Sequence, residues 1–214
     1  MTLWLDTLLI LVFLTNLRLL GSSRLGASVR VVALQGVVLG LLALASRGGD
    51  LTGHVLFLAA VSMALKGVVF PRLLFRALRE ARVRREVEPF VGYTSSLLVG
   101  AAMLGLSLWV GTRLPLPTAV ASPVVVPVAL FTILSGLFLI VSRKKALTQV
   151  LGYLVLENGI YIFGVALAQE APLIVELGVL LDVFVAVFVM GITMFHINRE
   201  FDDLDTEQMA SLKD

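Results

Sequence analysis

Residues 146–168 read ALTQVLGYLVLENGIYIFGVALA, and a single acid, Glu157, stands at the middle of this apolar run. A run of about 20 mostly apolar residues is what a membrane-crossing helix requires, since the hydrocarbon core is about 30 Å thick. An ionisable group at the centre of such a run is costly and points to function by default. Tyr153 and Tyr161 lie four residues to either side of Glu157, which places both on its helical face, and Asn158 adjoins it. Burial disfavours the charged form of a carboxyl. A glutamate here, flanked by hydroxyls and an amide, reads as a proton-exchanging group.

Working outward, the same reading gives seven apolar runs, roughly 3–20, 28–46, 52–71, 91–112, 122–141, 146–168 and 171–196. The fold class expected is all-α, a bundle of seven transmembrane helices. Composition agrees: mean hydropathy is +0.99, and 58% of residues are hydrophobic against 15% charged. Soluble domains carry about 25% charged residues. The first run could be mistaken for a signal peptide. Asp6 before its apolar core and Arg18 after it argue instead for a retained helix.

The basic residues alternate between the loops. Arg18, Arg24 and Arg30 surround loop one, and Arg72, Arg76, Arg79, Arg82, Arg84 and Arg85 fill loop three. Arg143, Lys144 and Lys145 occupy loop five, and Arg199 and Lys213 the tail. Only Arg47 and Arg113 fall on the other side, and Lys66 is inside a run. Lys/Arg-rich loops stay cytoplasmic, so the N-terminus is expected outside and the C-terminus in the cytoplasm. The net charge of +2 is therefore a matter of topology and gives no reason to expect nucleic acid.

Three regions follow: a four-helix membrane region over 1–121 with a basic cytoplasmic loop at 72–90, a three-helix region over 122–199, and an acidic tail over 200–214. Loop three interleaves Leu73, Leu74, Ala77, Leu78, Ala81 and Val83 with arginines. It reads as a helix that leaves the membrane, either lying against anionic headgroups or serving only as a charged stop.

Three further ionisable residues lie in or near the membrane. Asp182 is central in the seventh run among purely apolar neighbours, so a partner must come from another helix or subunit. A turn near Gln169–Pro172 makes helices six and seven antiparallel neighbours. Glu157 and Asp182 both lie about 11 residues from that turn, hence at similar depth. Glu176 is about 9 Å nearer the outer face, as an outer step or an interfacial residue. Lys66, beside Gly67, either snorkels to the headgroups or is a buried counter-ion. His196 falls where helix seven reaches the cytoplasm, an interfacial position that is also a candidate end of a proton path. Gly152, Gly159, Gly164, Gly178 and Gly191 are read as helix-packing positions.

There is no cysteine, which excludes disulfides and thiolate-held iron–sulfur centres in this chain. His54 and His196 are far apart and form no metal motif.

The stretch FTILSGLFLIVSRKKALTQVLGYLVLENGIYIFGVALA, residues 131–168, resembles the K-type small membrane subunit of respiratory complex I. The shared features are a basic pair, Arg143-Lys144, then Gly152 with Glu157, then a third-helix acid, Asp182. An ungapped match puts the complex I middle-helix acid at Leu154, so Glu157 stands about one turn further on. The longer form ending FHINREFDDLD is similar to the hydrogenase-4 component E family.

That resemblance implies a membrane subunit of a group 4 [NiFe]-hydrogenase or formate hydrogenlyase complex, in the inner membrane of a prokaryote. It implies no cofactor in this chain, with nickel–iron and iron–sulfur centres in partner subunits. The partners implied are antiporter-like and other membrane subunits, soluble hydrogenase subunits and lipid. Glu157, Asp182, Lys66 and Glu176 are the expected proton-transfer residues, with Tyr153, Asn158, Tyr161 and His196 in support. The alternatives are a K-type-like subunit of a multi-subunit cation/proton antiporter, and a scaffold whose acids only join helices.

Overall fold

The computed structural model describes residues 2–46, 53–80, 89–114 and 122–167. All regular structure among them is helical: α1 (Thr2–Leu20), α2 (Leu25–Ser46), α3 (Gly53–Ala64), a π-helical turn (Leu65–Val69), α4 (Phe70–Glu80), α5 (Tyr93–Arg113), α6 (Val125–Ser142) and α7 (Ala146–Leu167). Five helices, α1, α2, α5, α6 and α7, are long and apolar enough to cross a membrane. Their 18 to 22 residues span about 27–33 Å at ~1.5 Å per residue, which matches a bilayer core.

The third apolar run is helical from Gly53 but does not form one regular span. α3 ends at Ala64, and the backbone N–H of Phe70 bonds to the Leu65 carbonyl, five residues back. Pro71 supplies the reason. It has no N–H to donate, and its ring crowds the carbonyl four residues earlier. A widened π turn relieves that crowding. Beyond it α4 is strongly amphipathic. Phe70, Leu74 and Ala77 are buried, and Arg72, Arg76 and Arg79 are exposed. The first part of loop three is therefore an ordered helix lying on the bundle. The seventh run, 171–196, and the tail lie outside the described residues.

Short connections make neighbours antiparallel. α1 turns into α2 across residues 21–24, and α6 into α7 across 143–145. At one end of the bundle the Ser122 hydroxyl donates to Asp6 Oδ1 at 2.6 Å. At the other, buried Arg143 reaches the carbonyl of Leu20, the last residue of α1, at 2.8 Å. α1 and α6 therefore run parallel. The Arg143 guanidinium also donates to the Val91 carbonyl (3.2 Å) and Ser96 Oγ (3.3 Å), and stands 4.6 Å from the Tyr93 ring centre. It satisfies a helix-end carbonyl that would otherwise be orphaned and pins the starts of α5 and α7 to the end of α1. Of the basic pair in loop five, only Lys144 is an exposed charge; Arg143 is interior architecture.

α6 and α7 meet backbone to backbone. A methyl group added at Gly152 would lie 2.9 Å from the Gly136 carbonyl, one at Gly159 would lie 2.6 Å from the Ile133 nitrogen, and one at Gly136 would collide with the Leu156 amide. α2 meets the α3–π segment in the same way, with Gly36 against Lys66 and Gly40 against Met63. Small residues permit this closeness.

Two apolar clusters fill the interior. One holds Leu19, Leu25, Val32, Leu139 and Val155 toward the Arg143 end. The other holds Leu9, Val12, Val38, Ala129 and Ile162 toward the Asp6 end. Between them, on four of the helices, lies a polar layer.

The α6–α7 contact yields a direct test. Gly136→Val should destabilise the purified membrane assembly by the about 1–3 kcal/mol typical of an overpacked site, read as a lower melting temperature. Gly105→Val, where an added methyl meets nothing within 4 Å, should leave it unchanged.

Candidate functional site

The polar layer begins with an ion pair. Lys66 Nζ lies 3.2 Å from Glu157 Oε1, and both side chains are buried. Lys66 therefore does not snorkel; it is the buried counter-ion. Its position follows from the π turn, which carries it, and from Gly36, whose missing side chain lets the lysine backbone press against α2. The ammonium also donates to Asn158 Oδ1 at 3.3 Å and lies 5.1 Å from the Tyr161 ring centre, a cation–π distance.

The ammonium approaches Oε1 outside hydrogen-bond geometry, and neither Glu157 oxygen has a hydrogen-bond donor among the described residues. The contact between them is ionic. Two unit charges this close attract strongly where water is excluded. Each alone would carry a heavy desolvation cost.

From Asn158 the layer continues across the bundle. Asn158 Nδ2 donates to Gln35 Oε1 at 3.2 Å. Gln35 Nε2 donates to Thr15 Oγ1 at 2.8 Å and to Asn16 Oδ1 at 2.7 Å. Asn16 Nδ2 donates to Thr132 Oγ1 at 2.8 Å, and Thr132 donates to the Val128 carbonyl at 2.7 Å. All of these side chains are buried. The chain of contacts joins α7, the π turn, α2, α1 and α6.

The expected site residues divide accordingly. Glu157, Lys66, Asn158 and Tyr161 converge. Tyr153 does not join them: its ring is 36% exposed on the outer side of α7. Leu154, where the ungapped match to complex I puts the acid, is buried in the apolar core. Asp182, Glu176 and His196 lie outside the described residues. Gln35, Asn16, Thr15 and Thr132 are additions. Their signal in the sequence is a polar residue inside an apolar run, as in VVALQGVVLG, which a search for charges alone passes over. Among the described residues, no three of His, Asp and Glu are grouped so as to hold a metal ion.

Apolar helices of membrane length joined by a buried polar layer mark a polytopic membrane protein, and the type is given by similarity. Residues 124–214 match the family model of NADH-ubiquinone/plastoquinone oxidoreductase chain 4L. The chain belongs to the hydrogenase-4 component E family. Hydrogenase-4 component E of Escherichia coli K12 is 30% identical over 160 residues, covering 75% of this chain and 74% of that one, and the Shigella flexneri protein matches equally. An uncharacterized protein of Mycobacterium tuberculosis is 36% identical over 195 residues, covering 89% and 87% of the two chains. No solved structure matches this chain. Glu157 and Asn158 lie inside the chain 4L match; Lys66, Gln35, Thr15 and Asn16 precede it.

Removing one partner of a buried ion pair costs about 3–5 kcal/mol. Lys66→Met should therefore sharply lower the amount of assembled protein in the membrane. The double variant Lys66→Met with Glu157→Gln should recover most of it, as read by quantitative blotting of the complex.

Proposed function

We propose that this chain is a non-catalytic membrane subunit of a group 4 [NiFe]-hydrogenase complex of the formate hydrogenlyase type, and that Glu157 and Lys66 take part in its proton translocation. The observation that carries this reading is the ion pair itself, buried at the middle of the bundle between two apolar clusters. Membership of the component E family and the chain 4L match support the setting. Electron transfer belongs to partner subunits with nickel–iron and iron–sulfur centres. The setting is the inner membrane of a prokaryote, with the N-terminus outside and seven helices in all.

The pair has a chemistry suited to this role. Glutamate and lysine together are neutral, so they rest in a dry layer at modest cost. A proton arriving on Glu157 discharges the carboxylate and gives the layer a net positive charge. That imbalance favours onward release of a proton or movement of the lysine to another acid. Asp182, at matching depth on the following apolar run, is the acid assigned to that step, with Glu176 and His196 toward the two faces.

Glu157→Gln in the assembled complex should leave hydrogen evolution measurable and reduce proton pumping into inverted vesicles about a hundredfold, the lower range for loss of a positioned proton-transfer group. Asp182→Asn should act alike. Intact complexes with unchanged proton coupling in both variants would reduce the acids to helix-joining groups and leave a scaffold.

A further inference from the structure

The hydrogen bonds of the polar layer all point one way. Lys66 donates to Asn158, Asn158 to Gln35, Gln35 to Asn16, Asn16 to Thr132 and Thr132 to the Val128 carbonyl. This direction is imposed by chemistry. An ammonium has only donors, so Asn158 must turn its oxygen to Lys66 and its NH2 to Gln35. Gln35 must then accept from Asn158 and donate onward, and Asn16 must do the same. Every amide thus presents its negative end toward Lys66.

We infer that Gln35 is a positioning residue for the Lys66–Glu157 pair. By fixing the Asn158 amide it aims a carbonyl dipole at the ammonium and holds Lys66 in place beside the carboxylate. Asn16 and Thr132 brace Gln35 from behind. Aligned hydrogen bonds in a low-dielectric interior reinforce one another, so the influence passes along the series and weakens with distance from Lys66. Gln35 and Asn16 precede the segment matched to chain 4L. The N-terminal half of the chain thereby positions the ionic partner of an acid in the C-terminal half. The structural part of this inference needs only the pair. Its consequence for pumping rests on the function proposed above.

The test is infrared spectroscopy of the whole complex in membranes, with the Glu157 signal identified as the one that Glu157→Gln removes. Gln35→Met keeps length and removes every hydrogen bond of the amide. The expected result is that the Glu157 signal moves from a carboxylate toward a protonated carboxyl. In the reduced amount of Lys66→Met complex that assembles, the same change should do nothing further to that signal. Proton pumping should fall about tenfold, the equivalent of one neutral hydrogen bond near the top of its usual range.

Thr132→Val, nearly isosteric and at the far end, should shift the signal in the same direction by less, and it decides the matter if Gln35→Met does not assemble. An intact complex in which neither variant alters the Glu157 signal overturns the inference. If Gln35→Met shifts the signal but Glu157→Gln pumps normally, the positioning role stands and the proton-translocation reading falls.

Discussion

A buried ammonium and a buried carboxylate 3.2 Å apart constrain everything around them. Neither charge is tolerable in lipid without the other. The helices that bear them must therefore stay packed, with the lysine backbone pressed to α2 at Gly36 and the α7 backbone pressed to α6 at Gly136, Gly152 and Gly159. The glycines are the steric condition for the electrostatics. The two apolar clusters above and below the layer bury it, and a low-dielectric surround gives the pair its strength.

The amides extend that constraint sideways. Buried polar groups need partners; here each amide is both donor and acceptor, so the need passes from α7 to α2, to α1 and to α6. It ends where Thr132 and Thr15 each return a hydrogen bond to their own helices. Polar contacts between membrane helices are worth modest amounts singly. In series they fix which helix lies beside which. Arg143 does a comparable service at the bundle's end, where its fork ties α1, α5 and the start of α7 together.

Much of this was legible in the sequence, for physical reasons. The five long helices announce themselves because lipid demands uninterrupted apolar length. Glu157 stands out because an acid is so expensive there. The choice between a snorkelling and a buried Lys66 was open, since depth along one helix does not say which way a side chain turns. Gly36, thirty residues earlier, decides it by leaving room. The π turn was invisible to hydropathy, though Pro71 is its cause. Tyr153 shares a heptad-like face with Glu157 on a helical wheel, yet the close crossing of α6 and α7 leaves its ring outward. Gln35, Asn16 and Thr132 stand out less in the sequence because an uncharged amide or hydroxyl is cheap enough to pass unnoticed until its neighbours are known. Arg143 was read as a loop charge because proximity in sequence to Lys144 and Lys145 hides its burial.

The widened turn at Leu65–Val69 also has a geometric consequence for the rim. A π turn accommodates one residue more than the α-helix it interrupts, and each residue advances a helix by about 100°. The azimuth of α4 is thus decoupled from that of α3. With the extra residue, Lys66 faces inward while Arg72, Arg76 and Arg79 are presented outward around the same axis. Were that residue spliced out, the arginine stripe would swing by over a quarter turn relative to the lysine, and one of the two would face the wrong medium.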